Sequence, residues 1–414
     1  MRSENMKPRF SHLTVHNLNT IEDIDNCEVA NSDSFSEFII IDGILGTGIN
    51  GKLRENIKRA IEVINTSNGL TISVDVPSGL DPLTGQIHDV AVKPQYTVSF
   101  HKVKTGIHKA GEEKVGGIVT CDIGIPIEAE YFINYGDMIK LNKRSLKSHK
   151  GNNGKVLIVG GSKEYSGAPS IAGLAAIGAG ADLVYVAAPE SAALAISTHP
   201  DLIVNSLKGD YLTTEHAGEI LEIAEKVDAV LLGPGAGINN ETGKLLNILA
   251  SKIKKPLVLD ADALKQVKPQ IIKNRDDVIL TPHIFEFKSF FGKDIKLDLD
   301  SYDFAEVDEN ISEFQQVVRQ INGAVVVKGA IDLVIQKNKF KLNKSGNPGM
   351  TVGGTGDALA GIATSLLSKG LNAFDAATLA IFINGLAGDE AYLEKGYGFG
   401  ATDVVAHIGK VIKG

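Results

Sequence analysis

Asn347-Pro348-Gly349-Met350-Thr351-Val352-Gly353-Gly354-Thr355-Gly356-Asp357-Ala358-Leu359-Ala360-Gly361 packs five glycines into fifteen residues and sets a carboxylate directly after Gly356. Glycine reaches backbone angles closed to other residues, so a Gly-Gly-Thr-Gly turn can aim several N–H groups at one point. The alanine-rich run that follows reads as a helix, whose first turn adds unpaired donors and a partial positive charge. Loop and helix start together make an anion hole suited to phosphate. Asp357 stands at its mouth, where a carboxylate takes the proton of a hydroxyl held beside the phosphate. The plainer reading is a glycine turn with Asp357 as an ordinary N-cap. The density of glycine here, and the partners elsewhere in the chain, favour the functional one.

Upstream of this loop the chain is a long α/β series. Lys155-Val156-Leu157-Ile158-Val159 runs into Gly160-Gly161-Ser162, and Ser166-Gly167-Ala168-Pro169 opens an alanine-rich helix to about Ala181. Strands are expected at residues 183–187, 229–232, 257–260, 278–280 and 324–327. They are continuous apolar runs, as in a parallel sheet covered on both faces. Each ends in glycine or polar residues: Gly233-Pro234-Gly235-Ala236-Gly237, Ala261-Asp262-Ala263, Thr281-Pro282-His283, Lys328-Gly329. Ligands of open parallel sheets bind at C-terminal strand ends, so these residues should share a rim with the glycine loop.

The first third of the chain repeats the pattern on a smaller scale. Residues 1–36 are polar and weakly periodic. Strands are then expected at 37–42, 70–76 and 96–100, with a helix from Lys52 to Asn65. The turns Gly43-Ile44-Leu45-Gly46-Thr47-Gly48 and Pro77-Ser78-Gly79 place Asp42, Asp75 and Ser78 at one rim. Residues 126–150 lose the strand pattern and turn Lys/Asn/Ser-rich, which suits a linker between domains at 1–140 and 141–414.

Bulk properties narrow the classes. The chain has 414 residues, room for two domains, and 43% hydrophobic content. A net charge of −8 and a pI of 5.7 argue against nucleic-acid or anionic-membrane surfaces. The two cysteines, Cys27 and Cys121, make neither a disulfide framework nor a metal cluster. No apolar run is long enough to span a membrane and no signal peptide is evident, so a cytoplasmic protein is expected; a homo-oligomer is expected as well.

The motifs HKGNNGKVLIVGGS, SGAP, GPGAG, LDADAL, ILTPH, VVKGA and GNPGMTVGGTGDALAG occur in the order seen in NAD(P)H-hydrate dehydratases, and residues 149–414 resemble that ribokinase-like family. Residues 37–125, with DGILGTG and SVDVPSGLDPLTG, resemble the NAD(P)H-hydrate epimerase domain often fused to it. The resemblance implies an α/β fold: a ribokinase-like C-terminal domain preceded by a truncated Rossmann-like epimerase domain. It also implies cofactor repair, in which the ring hydroxyl of the S epimer of NAD(P)H hydrate is phosphorylated from ADP (or ATP), with Mg2+, and phosphate is then lost. Asp357 would be the base. Ala168, Gly235, His283 and Asp357 would meet the substrate, and Lys328, Gly329, Ala330, Ile331, Asp332 and Gly356 the nucleotide.

Two positions depart from the family pattern: Asp332 stands where a hydroxyl residue is usual, and Phe285 where glycine is. In the N-terminal part, Asp42 and Ser78 match potassium (K+) ligands and Asp75 a substrate-contacting acid. The family's Asn-Asn-Gly-Gly-Asp-Gly phosphate loop does not occur, and about 36 residues precede the first recognisable strand, little more than one βαβ unit of about 30 residues. The expectation is a domain that is a poor or inactive epimerase by itself. The competing readings are a small-molecule hydroxyl kinase of the same superfamily and a nucleotide-binding regulator without turnover. The HKG start, GNPGM and the epimerase-like partner weigh against the kinase, and the presence of Asp357 against the regulator.

Overall fold

The computed structural model describes residues 39–47, 52–141, 144–295 and 304–413. Residues 1–36, Gly48 and Asn142-Lys143, all used in the sequence reading, lie outside them. The chain divides into two compact units, 1–126 and 127–414.

In the first unit, β1 (Ile39–Asp42), α1 (Glu55–Thr66), β2 (Leu70–Val74), β3 (Tyr96–Phe100), α2 (Thr105–Ala110) and β4 (Gly117–Cys121) give a four-stranded parallel sheet in the order β1-β2-β3-β4. β2 stops at Val74 because Asp75 turns to a positive φ of 68°, a region that disfavours further strand. β4 was not expected from the sequence. One side of the sheet buries Asp42, Ser73, Thr97 and Ser99, while Ile39, Ile41, Leu70, Tyr96 and Phe100 on the other are exposed.

The second unit carries β5 (Lys155–Val159), α3 (Gly167–Gly178), β6 (Leu183–Pro189), β7 (Leu202–Leu207), β8 (Ala229–Leu232), β9 (Leu257–Leu259), β10 (Val278–Leu280), α4 (Ile284–Phe291), β11 (Ala324–Val327), β12 (Asp332–Gln336) and β13 (Lys339–Asn343). Three long helices follow: α5 (Thr355–Ser368), α6 (Ala373–Lys395) and α7 (Ala401–Lys413). The strand order is β13-β12-β11-β10-β9-β8-β5-β6-β7. All pairs are parallel except β11–β12 and β12–β13. Alternate residues face opposite layers, as the strand period demands. Val156 and Ile158 join a core with α3, α5, α6 and α7; Leu157 and Val159 join a second core with Phe287, Phe291 and Phe314.

Close helix packing fixes where the glycine loop sits. A Cβ on Gly361 in α5 would lie 2.0 Å from the Ala172 carbonyl oxygen of α3, so only glycine lets these helices approach so closely. Gly354 caps α5 at φ +98°, and a Cβ there would meet Ile171 and Ala401 within 3 Å.

Residues 127–141 belong to the second unit, because their apolar side chains pack on its β13 edge and on α6. Ile133 donates its N–H to Leu342 O at 2.8 Å and is buried. Tyr131 stacks on Phe340 at 5.0 Å, and Tyr135 meets Phe382 edge-on at 5.5 Å. Burial of one large aliphatic side chain contributes about 1.5–3 kcal/mol. A 127–414 fragment is therefore expected to fold and melt cooperatively, whereas a 146–414 fragment should melt several degrees lower. Equal melting temperatures for the two fragments would show that residues 127–145 add nothing to the fold.

Candidate active site

Three adjacent strand ends of the second unit deliver the site. Asp260 follows β9, Thr281 follows β10 and Lys328 follows β11, and these strands are neighbours in the sheet. The Lys328 N–H donates to Pro282 O at 2.9 Å, which ties two of the three loops together. Asp260 is buried. Its Oδ1 accepts from Thr281 Oγ1 at 2.7 Å and lies 3.6 Å from Lys328 Nζ. The ammonium group in turn lies 3.3 Å from where a Gly356 Cβ would be, so it sits against the first turn of α5. Lys328, Gly356 and Asp357 thus come together as expected.

Asp357 makes no hydrogen bond through its carboxylate to any described residue. It ordinarily titrates near 3.8 and is pushed up to about 7, by burial first and then by the charge of Asp260; Lys328 opposes the shift and Asp262 adds to it. Helix α5 leaves the amides of Thr355, Gly356 and Asp357 without acceptors among the described residues, as a helix start must. Its N-cap is Gly354, which offers no side-chain bond. The arrangement combines an open set of amide donors, a cation and a carboxylate that binds a proton near neutrality.

A second loop faces this cluster through Asp262. Gly237 N–H donates to Asp262 Oδ2 at 2.9 Å, and Lys265 pairs with Oδ1 at 3.1 Å. Between the two acids, Ala261 holds φ 49° and ψ −118°, a strained backbone for a residue with a side chain. A Cβ on Gly235 would lie 3.3 Å from Ala168 Cβ and 2.7 Å from Tyr165 O, so Ala168 and Gly235 are brought together. Beside them Ser162 Oγ is buried without a hydrogen-bond partner, 3.7 Å from where a Gly237 Cβ would be. Asp260, Asp262, Thr281 and Ser162 were not singled out from the sequence, although LDADAL shows two acids at one strand end.

His283 and Asp332 have other local duties. His283 is the N-cap of α4: its Nδ1 accepts from Glu286 N–H at 3.2 Å, while its ring stays half exposed beside the exposed Phe285. Asp332 is buried, with Oδ1 on the Gly329 N–H at 3.0 Å and Oδ2 on Asn343 Nδ2 at 2.9 Å. Oδ1 thus closes the 328–332 turn and Oδ2 ties it to β13, with Gly329 and Ala330 exposed at its tip. Burial pushes the Asp332 carboxyl up to about 6 against the bonds from Asn343 and Gly329.

In the first unit, Asp42 Oδ1 accepts from Ser78 Oγ at 2.6 Å, and Oδ2 accepts from Ser73 Oγ at 2.7 Å and Ser78 N–H at 2.9 Å. Asp75 pairs with Lys104 and accepts the Phe100 N–H at 3.0 Å. Among the described residues no three His, Cys, Asp or Glu side chains form a metal-binding group.

A mostly parallel nine-stranded sheet with a carboxylate–lysine cluster under a glycine-headed helix is the architecture of a ribokinase-like α/β enzyme. Solved structures share the fold. A hypothetic protein from Streptococcus mutans superposes with a TM-score of 0.58 at 26% identity, over 68% of this chain and 98% of its own. The ADP/ATP-dependent NAD(P)H-hydrate dehydratase of Bacillus subtilis gives 0.54 at 22% identity, over 70% and 99%. The sequence matches the family model for NAD(P)H-hydrate dehydratase over residues 156–410. Residues 3–106 match that for the YjeF-related protein N-terminus, which reaches back from residue 37, where the sequence resemblance began. The bifunctional NAD(P)H-hydrate repair enzyme Nnr of Methanothermobacter thermautotrophicus is 47% identical over 392 residues, 94% of this chain and 74% of that protein. The one of Pyrobaculum aerophilum is 41% identical over 384 residues, 91% and 74%. The chain belongs to the NAD(P)H-hydrate dehydratase family, in the two-part arrangement of the bifunctional repair enzymes.

The raised affinity of Asp357 for its proton has a sign that can be measured. The folded protein holds this proton more tightly than the unfolded chain does. Its contribution to stability is full below about pH 4 and is lost as the pH rises through about 7. Asp357→Asn removes the charge and keeps the shape. It is expected to raise Tm near about pH 8, with the gain vanishing toward about pH 4, while turnover falls by about 10²-fold or more. A melting series across that range checks the first effect; a gain independent of pH would mean that Asp357 is not the titrating group.

Proposed function

We propose that the second unit restores a hydrated nicotinamide cofactor by nucleotide-dependent dehydration of the S epimer, with ADP as the phosphoryl donor. The observation that carries this reading is Asp357: a half-buried, unpartnered carboxylate that binds a proton near neutrality, at the head of a helix with free amides and beside Lys328. In the ionised form Asp357 takes the proton of the ring hydroxyl as its oxygen attacks the terminal phosphorus. The amides of Gly356 and its neighbours, with Lys328, meet the charge on the moving phosphoryl group. A hydroxyl is a poor leaving group and a phosphate a good one, so the same site then permits elimination.

Ala168, Gly235 and His283 line the substrate side in this reading, and Ser162 Oγ is the unpartnered donor there. The turn from Lys328 through Gly329, Ala330 and Ile331 takes the nucleotide, with Asp332 holding it in shape. Mg2+ would arrive on the nucleotide phosphates, where it keeps few protein ligands; when bound, it neutralises phosphate charge. A homo-oligomeric cytoplasmic enzyme acting on free cofactor belongs to the same proposal. Among the described residues no helix is long and apolar enough to cross a membrane.

For the first unit the proposal is narrower. Asp42, Ser78 and Asp75 are the positions for potassium and substrate, and the oxygens of the first two already bond one another. Incubation with hydrated NADH and either ADP or ATP should return the nicotinamide absorbance in step with nucleotide consumption, faster with ADP. No return with either nucleotide would sink the dehydratase reading. Supplied with the R epimer alone, the protein is expected to convert it near the spontaneous rate. Rapid potassium-dependent conversion would make the first unit a working epimerase.

A further inference from the structure

Dehydration through a phosphate ester removes two protons, and the site described so far accounts for one. In the first step the ring oxygen forms a bond to phosphorus, AMP departs with the electron pair of the broken P–O bond, and Asp357 keeps the hydroxyl proton. In the second step the C–O bond breaks and phosphate leaves with its electron pair. The neighbouring ring carbon then loses a proton, whose C–H electron pair becomes the new C=C bond. Asp357 already carries a proton at that moment. A second acceptor is needed within reach of the same ring.

We propose that Asp260 is that acceptor, the base for the ring proton. The inference rests on the dehydratase reading above and adds a residue to it. Asp260 is a buried carboxylate at the rim of the sheet, on the strand next to the one that ends in Thr281 and two away from the one that ends in Lys328. Only its Oδ1 is engaged, by Thr281 Oγ1 at 2.7 Å, with Lys328 Nζ at 3.6 Å. Oδ2 takes no hydrogen bond among the described residues. That oxygen is not among the atoms sealed inside the fold without a partner, so it stays open to a proton donor. Asp262, the other acid here, is bonded to Gly237 and Lys265 through both oxygens and has no such free position. The two acids near the ring thus differ in their surroundings: Asp260 has a hydroxyl and an ammonium at Oδ1, and Asp357 bears the first proton.

The experiment uses the full chain with the S epimer of NADH hydrate and ADP, in rapid quench, reading AMP release and NADH return separately. Asp260→Asn is expected still to release about one AMP per site, with the acid limb of that step moved to lower pH because the Asp260 charge no longer raises Asp357. NADH return should fall by about 10²-fold, and phosphorylated hydrate should accumulate. Equal loss of both products would overturn the proposal, because it would place Asp260 in phosphoryl transfer or in the fold; so would no loss of either. Thr281→Val guards against misfolding of the first variant. It removes only the donor to Oδ1, so the acid limb of the elimination step should move to higher pH while that of AMP release stays. An unmoved limb counts against Asp260. A wild-type protein that releases no AMP overturns the dehydratase reading itself, a result distinct from all of these.

Discussion

One positive charge organises the site. Three carboxylates, Asp260, Asp262 and Asp357, gather where the sheet meets α5, and they differ in which of them receives a partner. Asp262 has Lys265 and a backbone N–H. Asp260 has Lys328 and a hydroxyl. Asp357 has neither, and is the one pushed up to about 7. Like charges in a poorly solvated site cannot all ionise freely, so the unpartnered group bears the cost. That ammonium, on a loop tied down by the Lys328 N–H on Pro282 O and beside the missing side chain at Gly356, opposes the rise at Asp357.

Backbone strain serves the same end. Ala261 lies between two of the acids at a positive φ of 49°, a state that costs on the order of 1–3 kcal/mol. It is held by bonds on either side: Asp260 N–H to Leu232 O at 3.1 Å, and Asp262 to Gly237. In the first unit Asp75 shows the same device, with φ 68° and its carboxylate on Lys104. That unit is otherwise built differently. Its buried sheet face is rich in hydroxyls, which are satisfied one by one: Ser73 on Asp42, Thr97 on Val115 O at 2.5 Å, Ser99 on Lys102 O at 3.1 Å. Among the described residues its apolar cluster holds Val76, Leu80, Ile107, Ala110 and Val115.

The centre of the large sheet was legible because its strands are uninterrupted apolar runs, which only a strand covered on both faces tolerates. Its margins were not. β7, β12 and β13 lie at or next to the sheet edges, and their polar residues dilute the pattern that marks a strand. Residues 127–141 looked like a linker for a related reason: Ile133, Met138 and Leu141 are spaced among charges, and what they pack on, β13 and α6, lies some 200 residues further along. Contacts of that range leave no local trace.

The site was half legible, and the missing half has one cause. Composition marks a polar residue at a strand end, but not whether its atoms are already engaged. His283 and Asp260 carried the same sign, a titratable group just past a buried strand. His283 proves to be the cap of α4, with Nδ1 occupied by a backbone N–H. Asp332, read as a nucleotide contact, has both oxygens bonded inside its own turn and to Asn343. Asp260, which the sequence placed only as the last residue of a strand, keeps an oxygen to which no described residue donates. Reactivity belongs to the atoms left over once the fold has satisfied its own hydrogen bonds, and that remainder exists only after the chain has closed.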